Sequence, residues 1–273
     1  MNMLISRAVV FYVMSCSIAL LLDALTLHGL LPLILWGFTR MWSVALSAIL
    51  CLAMFKGKVY AKMRSFLSFP ATILKLYLVA PLTVYAALGI YAALASPFGL
   101  FDFSSITRGQ AEALAYVQIV LAYLAAVTLN MVFALGEEIG WRGYLYDLLG
   151  SKPTATAALI VGALWGLWHS PAIILLGYNY RVNRFAGVIL FTALTVLFTY
   201  PQILVTSMAR GSVLPASSLH GAINSIWGLT LLASRAPDET REILLGLGFT
   251  GIAAWTILDA ALHIVRVKVC GRK

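Results

Sequence analysis

The sequence predicts an all-α fold, a polytopic membrane helical bundle of about eight transmembrane helices. Of its 273 residues, 62% are hydrophobic and 11% are charged, and the mean hydropathy is +0.93. A soluble domain needs a more polar surface than this composition supplies. The composition therefore argues against a soluble globular protein, and the length of the apolar runs favours helices over a barrel.

Eight apolar runs of roughly 20 residues are long enough to cross a bilayer. They lie near residues 7–27, 30–54, 70–95, 113–137, 155–176, 185–208, 214–234 and 243–265. Because no long polar linker and no internal repeat separates them, we expect residues 1–273 to form a single membrane domain. Residues 1–100 are predicted to form N-terminal helices without motifs, whereas residues 111–234 contain the polar patterns described below.

The distribution of basic residues predicts the orientation in the membrane. With eight spans, both termini and every second loop share one side, and cytoplasmic loops are enriched in Lys and Arg. That side holds Arg7, Lys56, Lys58, Lys62, Arg64, Lys152, Arg210, Arg266, Lys268, Arg272 and Lys273, and the other holds Arg108, Arg181, Arg184, Arg235 and Arg241. We therefore expect a multi-pass cell-membrane protein with both termini in the cytoplasm. The net charge of +9 is attributed to these loops, and no nucleic-acid partner is expected.

Two charged residues lie deep within the first two spans. Asp23 belongs to the first span and Arg40 to the second. Buried charges in a membrane usually find a partner, so one hypothesis is that these two residues pair with each other.

The fourth span ends in the pattern Glu137-Glu138-x-x-x-Arg142. Glu138 and Arg142 are four residues apart, so they share a helix face and are expected to form an ion pair. Glu137 is turned about 100° away and lacks that cationic partner. An unpaired carboxylate in apolar surroundings suits a general base that takes a proton from water. The alternative is that both glutamates only mark the aqueous end of the helix.

The fifth span carries His169, with Trp165 four residues before it. The turn at residues 150–153 is short, which predicts that the fourth and fifth spans are antiparallel neighbours. Glu137 and His169 lie about 18 and 22 Å from this turn, at similar depth. This coincidence predicts a Glu137/His169 pair, although a lone histidine on an apolar helix is more often a packing residue.

Glycines support the same pairing of spans. Gly136 and Gly140 in the fourth span, and Gly162 and Gly166 in the fifth, are each spaced four residues apart. Small residues at this spacing let two helices approach closely in a membrane. We therefore expect the two glycine faces to pack against each other.

The seventh span contains His220 and Asn224, which share one helix face. Two donors aimed at one point suit the oxyanion of a tetrahedral intermediate. The alternative is that they make hydrogen bonds that only hold the bundle together.

Together these patterns supply a carboxylate, two imidazoles and an amide, without an evident serine or cysteine nucleophile. Such a set is suited to activating water for amide hydrolysis. In these residues the chain resembles the CPBP family, the CAAX prenyl endopeptidases and bacteriocin-processing enzymes also called the Abi family. Its motifs are EExxxR, FxxxH and HxxxN or a close variant, and the chain has all three in order between Gly136 and Asn224.

The resemblance implies an eight-helix intramembrane glutamic endopeptidase with residues 111–234 as its catalytic core. It implies that Glu137 activates water, that His169 helps to hold this water, and that His220 and Asn224 stabilise the oxyanion. Glu138, Arg142 and Trp165 are the implied supporting residues. Trp165 stands where the family usually has Phe, which keeps an aromatic wall but adds volume and an N–H group.

The implied partners are the lipid bilayer and a membrane-associated peptide or protein substrate, with or without a CAAX-type prenyl group. No metal and no other cofactor is expected, and the oligomeric state is left open. Three alternatives remain: zinc ligation by Glu137, His169 and His220, a proton-coupled transporter that uses the same ionisable groups, and a non-catalytic immunity or scaffold protein. The zinc alternative lacks an HExxH pattern, and the transporter alternative lacks clear inverted repeats.

Overall fold

The computed structural model describes residues 2–107 and 112–270, and all regular structure within them is helical. The predicted all-α fold is confirmed. Residue 111, at the predicted start of the core, lies outside the described residues, as do Arg108, Arg272 and Lys273 from the charge distribution.

The described N-terminal region, residues 2–107, folds into five helices and two short 3₁₀ turns. The helices are α1 (Asn2–Leu27), α2 (Leu33–Met54), α3 (Val59–Phe66), α4 (Ala71–Val79) and α5 (Leu82–Ala95), and the turns are Ser96–Phe98 and Phe103–Thr107. The breaks before α2 and α4 follow from Pro32 and Pro70, each of which holds the extended conformation that precedes a helix start.

The remainder of the described chain forms nine helices and three π-helical segments. The helices are α6 (Glu112–Val127), α7 (Leu129–Glu138), α8 (Tyr146–Leu148), α9 (Ala155–Trp168), α10 (Arg184–Met208), α11 (Leu214–Ala222), α12 (Leu229–Leu232), α13 (Asp238–Leu244) and α14 (Phe249–Cys270). The π-helical segments are Ile139–Leu145, Ala172–Leu176 and Ile223–Trp227. Each follows, or overlaps, one of the three polar patterns.

Six helical segments of the described residues are long and apolar enough to cross a membrane. They are Leu4–Leu27, Leu33–Met54, Ala71–Phe98, Ala155–Leu176, Arg184–Met208 and Asp238–Lys268, and the pair Tyr116–Val127 and Leu129–Leu148, bent by 44°, makes a seventh if counted as one span. These segments agree broadly with the predicted eight. The predicted span at 214–234 is helical but is interrupted after Ala222, so it does not form one continuous long helix.

The glycine faces pack differently from the prediction. A Cβ atom on Gly136 would come within 2.6 Å of the Trp42 Cα atom in α2, and one on Gly162 would come within 2.4 Å of the Val196 Cα atom in α10. The fourth-span glycines therefore face α2 and the fifth-span glycines face α10, and the expected packing between the two glycine faces is wrong. Small residues do permit close helix approach here, but the spacing alone did not identify the partner helix.

Candidate active site

The three polar patterns meet at one cavity of about 220 Å³. Its wall includes Glu137, Trp165, His169, His220 and Asn224, which come from α7, α9, the end of α9, α11 and the π-helical segment after α11. The cavity therefore brings together the carboxylate, both imidazoles and the amide that the sequence singled out.

Glu137 is almost completely buried, with 2% of its surface exposed. The indole Nε1 of Trp165 donates a hydrogen bond to its Oε2 atom at 2.5 Å. Within the described residues, no charged nitrogen of a basic side chain lies within 4 Å of the Glu137 carboxylate oxygens. The carboxylate is therefore held by a neutral donor at one oxygen, on the wall of the cavity.

Glu138 is not among the residues that line the cavity, and it forms the centre of a buried network. Its Oε1 atom accepts hydrogen bonds from Arg142 Nη1 at 2.8 Å and from Gln202 Nε2 at 3.3 Å, and it lies 2.7 Å from His220 Nδ1. Arg142 also donates to Thr199 and Gln202 of α10. The predicted Glu138–Arg142 ion pair is confirmed, and both side chains are 0% exposed.

His169 caps the end of α9, where its orientation is fixed from several sides. Its Nδ1 atom lies 2.9 Å from the Trp165 carbonyl oxygen. Because a carbonyl can only accept, Nδ1 carries a hydrogen, and in the neutral ring Nε2 then keeps a lone pair. The ring is stacked with Tyr178 and has its edge or face against Trp168 and Phe191. In that form the ring can accept a hydrogen bond at Nε2.

His220 and Asn224 add an imidazole and an amide to the cavity wall. His220 is buried, whereas Asn224 is exposed on the cavity surface. Because Nδ1 of His220 donates to the Glu138 carboxylate, its Nε2 atom carries a hydrogen only when the ring is an imidazolium. Gly221 allows α11 to approach α6 closely, because a Cβ atom at this position would come within 2.4 Å of the Ala126 carbonyl oxygen.

Trp165 contacts several polar groups of the site and does more than form an aromatic wall of the cavity. Besides its bond to Glu137, its ring lies 5.0 Å from the His220 ring and 4.1 Å from the Arg142 guanidinium carbon. The added N–H group that distinguishes it from Phe is therefore the hydrogen-bond partner of Glu137.

Sequence reasoning missed several residues around this site. Gln202 and Thr199 complete the polar shell of Arg142, and Tyr178 lines the cavity. Arg40 lines it too, although the sequence indicated this residue only as a partner for Asp23. Gln202 gave a usable signal, because a buried amide within a long apolar span is unusual. Tyr178 gave none, since its position depends on the loop after the Ala172–Leu176 segment.

The residues do not gather as a metal site usually does. Within residues 2–107 and 112–270, no three His, Cys, Asp or Glu side chains lie close enough to hold a metal ion. This placement gives no support to joint zinc ligation by Glu137, His169 and His220.

The segment that carries the motifs is similar to known proteins. Residues 116–226 match the family model described as type II CAAX prenyl endopeptidase, Rce1-like. The segment that carries the motifs, residues 116–226, is similar to this family and is named the Rce1-like segment for that reason. This match confirms the resemblance to the CAAX prenyl endopeptidases, and the Rce1-like segment includes every predicted site residue from Glu137 to Asn224.

A curated relative points in the same direction. The chain is 28% identical over 150 residues to CAAX prenyl protease 2 of Methanococcus maripaludis, and the alignment covers 53% of this chain and 54% of the relative. The chain thus spans about half the length of the relative it matches. The helices before the Rce1-like segment lie outside the family match.

Proposed function

We propose that this protein is an intramembrane endopeptidase that hydrolyses a peptide bond with water activated by Glu137. The observation that carries the proposal is the convergence of Glu137, His169, His220 and Asn224 on one largely buried cavity. The Rce1-like family match supports the same reaction class.

The first step is the attack of water on the scissile carbonyl carbon. A water molecule in the cavity donates one hydrogen bond to the Glu137 carboxylate and one to Nε2 of His169. Glu137 removes a proton as the water oxygen forms its bond to carbon, and the carbonyl becomes a tetrahedral oxyanion. Trp165 holds one Glu137 oxygen in place during this transfer, so the reacting oxygen is oriented before substrate arrives.

The second step is collapse of the tetrahedral intermediate. The oxyanion accepts hydrogen bonds from the Asn224 amide and from Nε2–H of His220, whose ring is oriented by the contact between its Nδ1 atom and the buried Glu138. The protonated Glu137 then gives its proton to the leaving nitrogen as the C–N bond breaks. The products are a new carboxyl terminus and a free amine, and Glu137 returns to its starting form.

The substrate we propose is a membrane-associated peptide or protein of the CAAX type, carrying a prenyl group. Two observations support this class. The family model is described as a CAAX prenyl endopeptidase, and the Methanococcus relative is named a CAAX prenyl protease. The cavity wall is also rich in aromatic side chains, including Trp36, Phe191, Phe198 and Trp227, which suits an apolar group beside the scissile bond.

Glu137→Gln is expected to abolish cleavage while the protein stays folded, because the amide keeps the shape of the carboxylate but cannot accept the proton. The assay uses purified protein in detergent and a synthetic peptide with an S-farnesyl cysteine fourth from its C-terminus. Mass spectrometry detects release of the three terminal residues, and thermal unfolding reports the fold.

Glu239→Gln is the matched control, since it makes the same chemical change at an exposed carboxylate on α13. We expect it to cleave like the unchanged protein. Undiminished cleavage by Glu137→Gln would exclude the proposed mechanism. Absence of cleavage by the unchanged protein on farnesylated and unmodified peptides alike would favour the transporter or non-catalytic alternatives. Loss of activity in a strong chelator would indicate a metal-dependent reaction instead.

A further inference from the structure

The first two helices form a buried ion pair beside the cavity, although they contain no family motif. Arg40 Nε of α2 donates to Asp23 Oδ1 of α1 at 2.8 Å, and Arg40 Nη2 donates to Asp23 Oδ2 at 3.2 Å. The two side chains are 4% and 0% exposed. Trp36 Nε1 adds a third hydrogen bond to Asp23 at 2.7 Å. The hypothesis that Asp23 and Arg40 pair is confirmed, and the bidentate contact fixes the guanidinium plane.

The same guanidinium holds the end of α9. Arg40 Nη2 donates to the Trp168 carbonyl oxygen at 2.9 Å, and its guanidinium carbon lies 3.8 Å from the Trp168 ring centroid. Trp168 in turn donates from Nε1 to the Ser15 carbonyl oxygen of α1 at 3.1 Å. Both the main chain and the side chain of Trp168 are therefore fixed by α1 and α2.

Trp168 is the last residue of α9, and His169 follows it directly. Regular helix geometry ends at this point, because Pro171 has no N–H group to donate and a π-helical segment begins at Ala172. Carbonyl groups at a helix end need partners from outside the helix. The backbone that carries His169 thus depends on the contact from Arg40.

We propose that Arg40, oriented by Asp23, is a positioning residue that sets the place of His169 in the cavity. This inference rests on the proposed function, in which His169 holds the attacking water. A displacement of the reacting groups by about 1 Å can lower a reaction rate about 100-fold. The ion pair therefore acts on the rate of the chemical step through the end of α9.

The decisive variant is Asp23→Asn combined with Arg40→Met. A single substitution would leave one charge buried without a partner and destabilise the fold, whereas replacing both charges by neutral groups is often tolerated. The amide introduced by Asp23→Asn can still accept the bond from Trp36, and the thioether side chain introduced by Arg40→Met fills much of the arginine volume. The variant retains the packing but loses the hydrogen bond to the Trp168 carbonyl.

We expect this double variant to keep the thermal unfolding midpoint while kcat on the farnesylated peptide falls about 100-fold. KM should change little, because Arg40 acts through His169. Arg40→Lys is the rescue variant, since an ammonium group can still pair with Asp23 and donate to the carbonyl. Its kcat should lie between that of the double variant and that of the unchanged protein.

The matched control is Lys62→Met combined with Asp147→Asn, which removes an exposed ion pair away from the cavity. We expect unchanged kcat. The inference is overturned if the folded Asp23/Arg40 double variant has a normal kcat, or if it shows only a raised KM. The Glu137→Gln variant distinguishes failure of this inference from failure of the proposed function. If only the inference fails, Glu137→Gln is still inactive. If the proposed function fails, Glu137→Gln is active.

Discussion

Two buried ion pairs flank the cavity, and they differ in how the chain builds them. Glu138 ends α7 and Arg142 lies in the π-helical segment that continues it, both within the Rce1-like segment, and Glu138 contacts His220. Asp23 and Arg40 lie on two helices outside that segment, and Arg40 contacts the residue before His169. Each pair is thus next to one imidazole. The comparison indicates that a site recognised by its motifs also depends on helices that carry none.

The two pairs also differ in their remaining polar partners. Arg142 is surrounded by side chains of α10, from Thr199 and Gln202. Besides Asp23, Arg40 instead has one main-chain carbonyl group as its hydrogen-bond partner. The motif pair is therefore part of a wider polar network, in which removal of one member leaves several groups without partners.

The largest effect is expected from Glu138→Leu. This change leaves Arg142 charged and buried without a carboxylate, which should lower the free energy of unfolding by about 3–5 kcal/mol. It also removes the acceptor of His220, so peptide cleavage should be lost. Thermal unfolding and the peptide assay measure both effects.

The companion variant Glu138→Leu with Arg142→Met separates stability from activity. It should regain most of the lost stability, since no buried charge is left alone, yet remain inactive because His220 still lacks its partner. If the Glu138→Leu variant alone were as stable as the unchanged protein, the Glu138–Arg142 pair would not contribute to stability as expected.

A smaller effect is expected from Gln202→Ala. Gln202 contacts both members of the motif pair, and loss of a buried hydrogen-bond partner costs about 1–3 kcal/mol. Cleavage should fall about tenfold through misplacement of Glu138 and His220. Measured kcat and unfolding midpoint test this expectation, and a kcat equal to that of the unchanged protein would contradict it.

The smallest effect is expected from Lys62→Ala. Lys62 of α3 pairs with Asp147 of α8 at 2.6 Å, but the two side chains are 40% and 37% exposed. Exposed pairs contribute about 0–1 kcal/mol, so both stability and cleavage should stay nearly unchanged. A loss as large as that of Glu138→Leu would remove the distinction between buried and exposed pairs.

The sequence predicted those parts of the site that depend on spacing within one helix. The Glu138–Arg142 pair and the shared face of His220 and Asn224 are contacts at four residues, and helix geometry determines them. The apolar runs likewise predicted the helical class, because a bilayer leaves few alternatives. The orientation of the termini stays a prediction.

The parts that sequence reasoning missed depend on contacts between distant helices. The spacing of Gly136 and Gly162 indicated close packing, yet nothing in it distinguished α2 and α10 as the partners. Gln202 lies 60 residues beyond Arg142 along the chain, so no local periodicity links them. Trp165 was predicted as an aromatic wall, and only the three-dimensional arrangement reveals its hydrogen bond to Glu137.

The depth of Glu137 limits the shape of a bound chain. With only 2% of its surface exposed, the residue can be reached only by a segment that enters the cavity. An intact α-helix is about 10 Å wide with its side chains, and its carbonyl groups are already hydrogen-bonded within the helix. Under the proposed function, a membrane-spanning helix must therefore unwind locally before its backbone can reach Glu137. Proteins that end in short, weakly helical tails would meet this requirement with the least loss of structure.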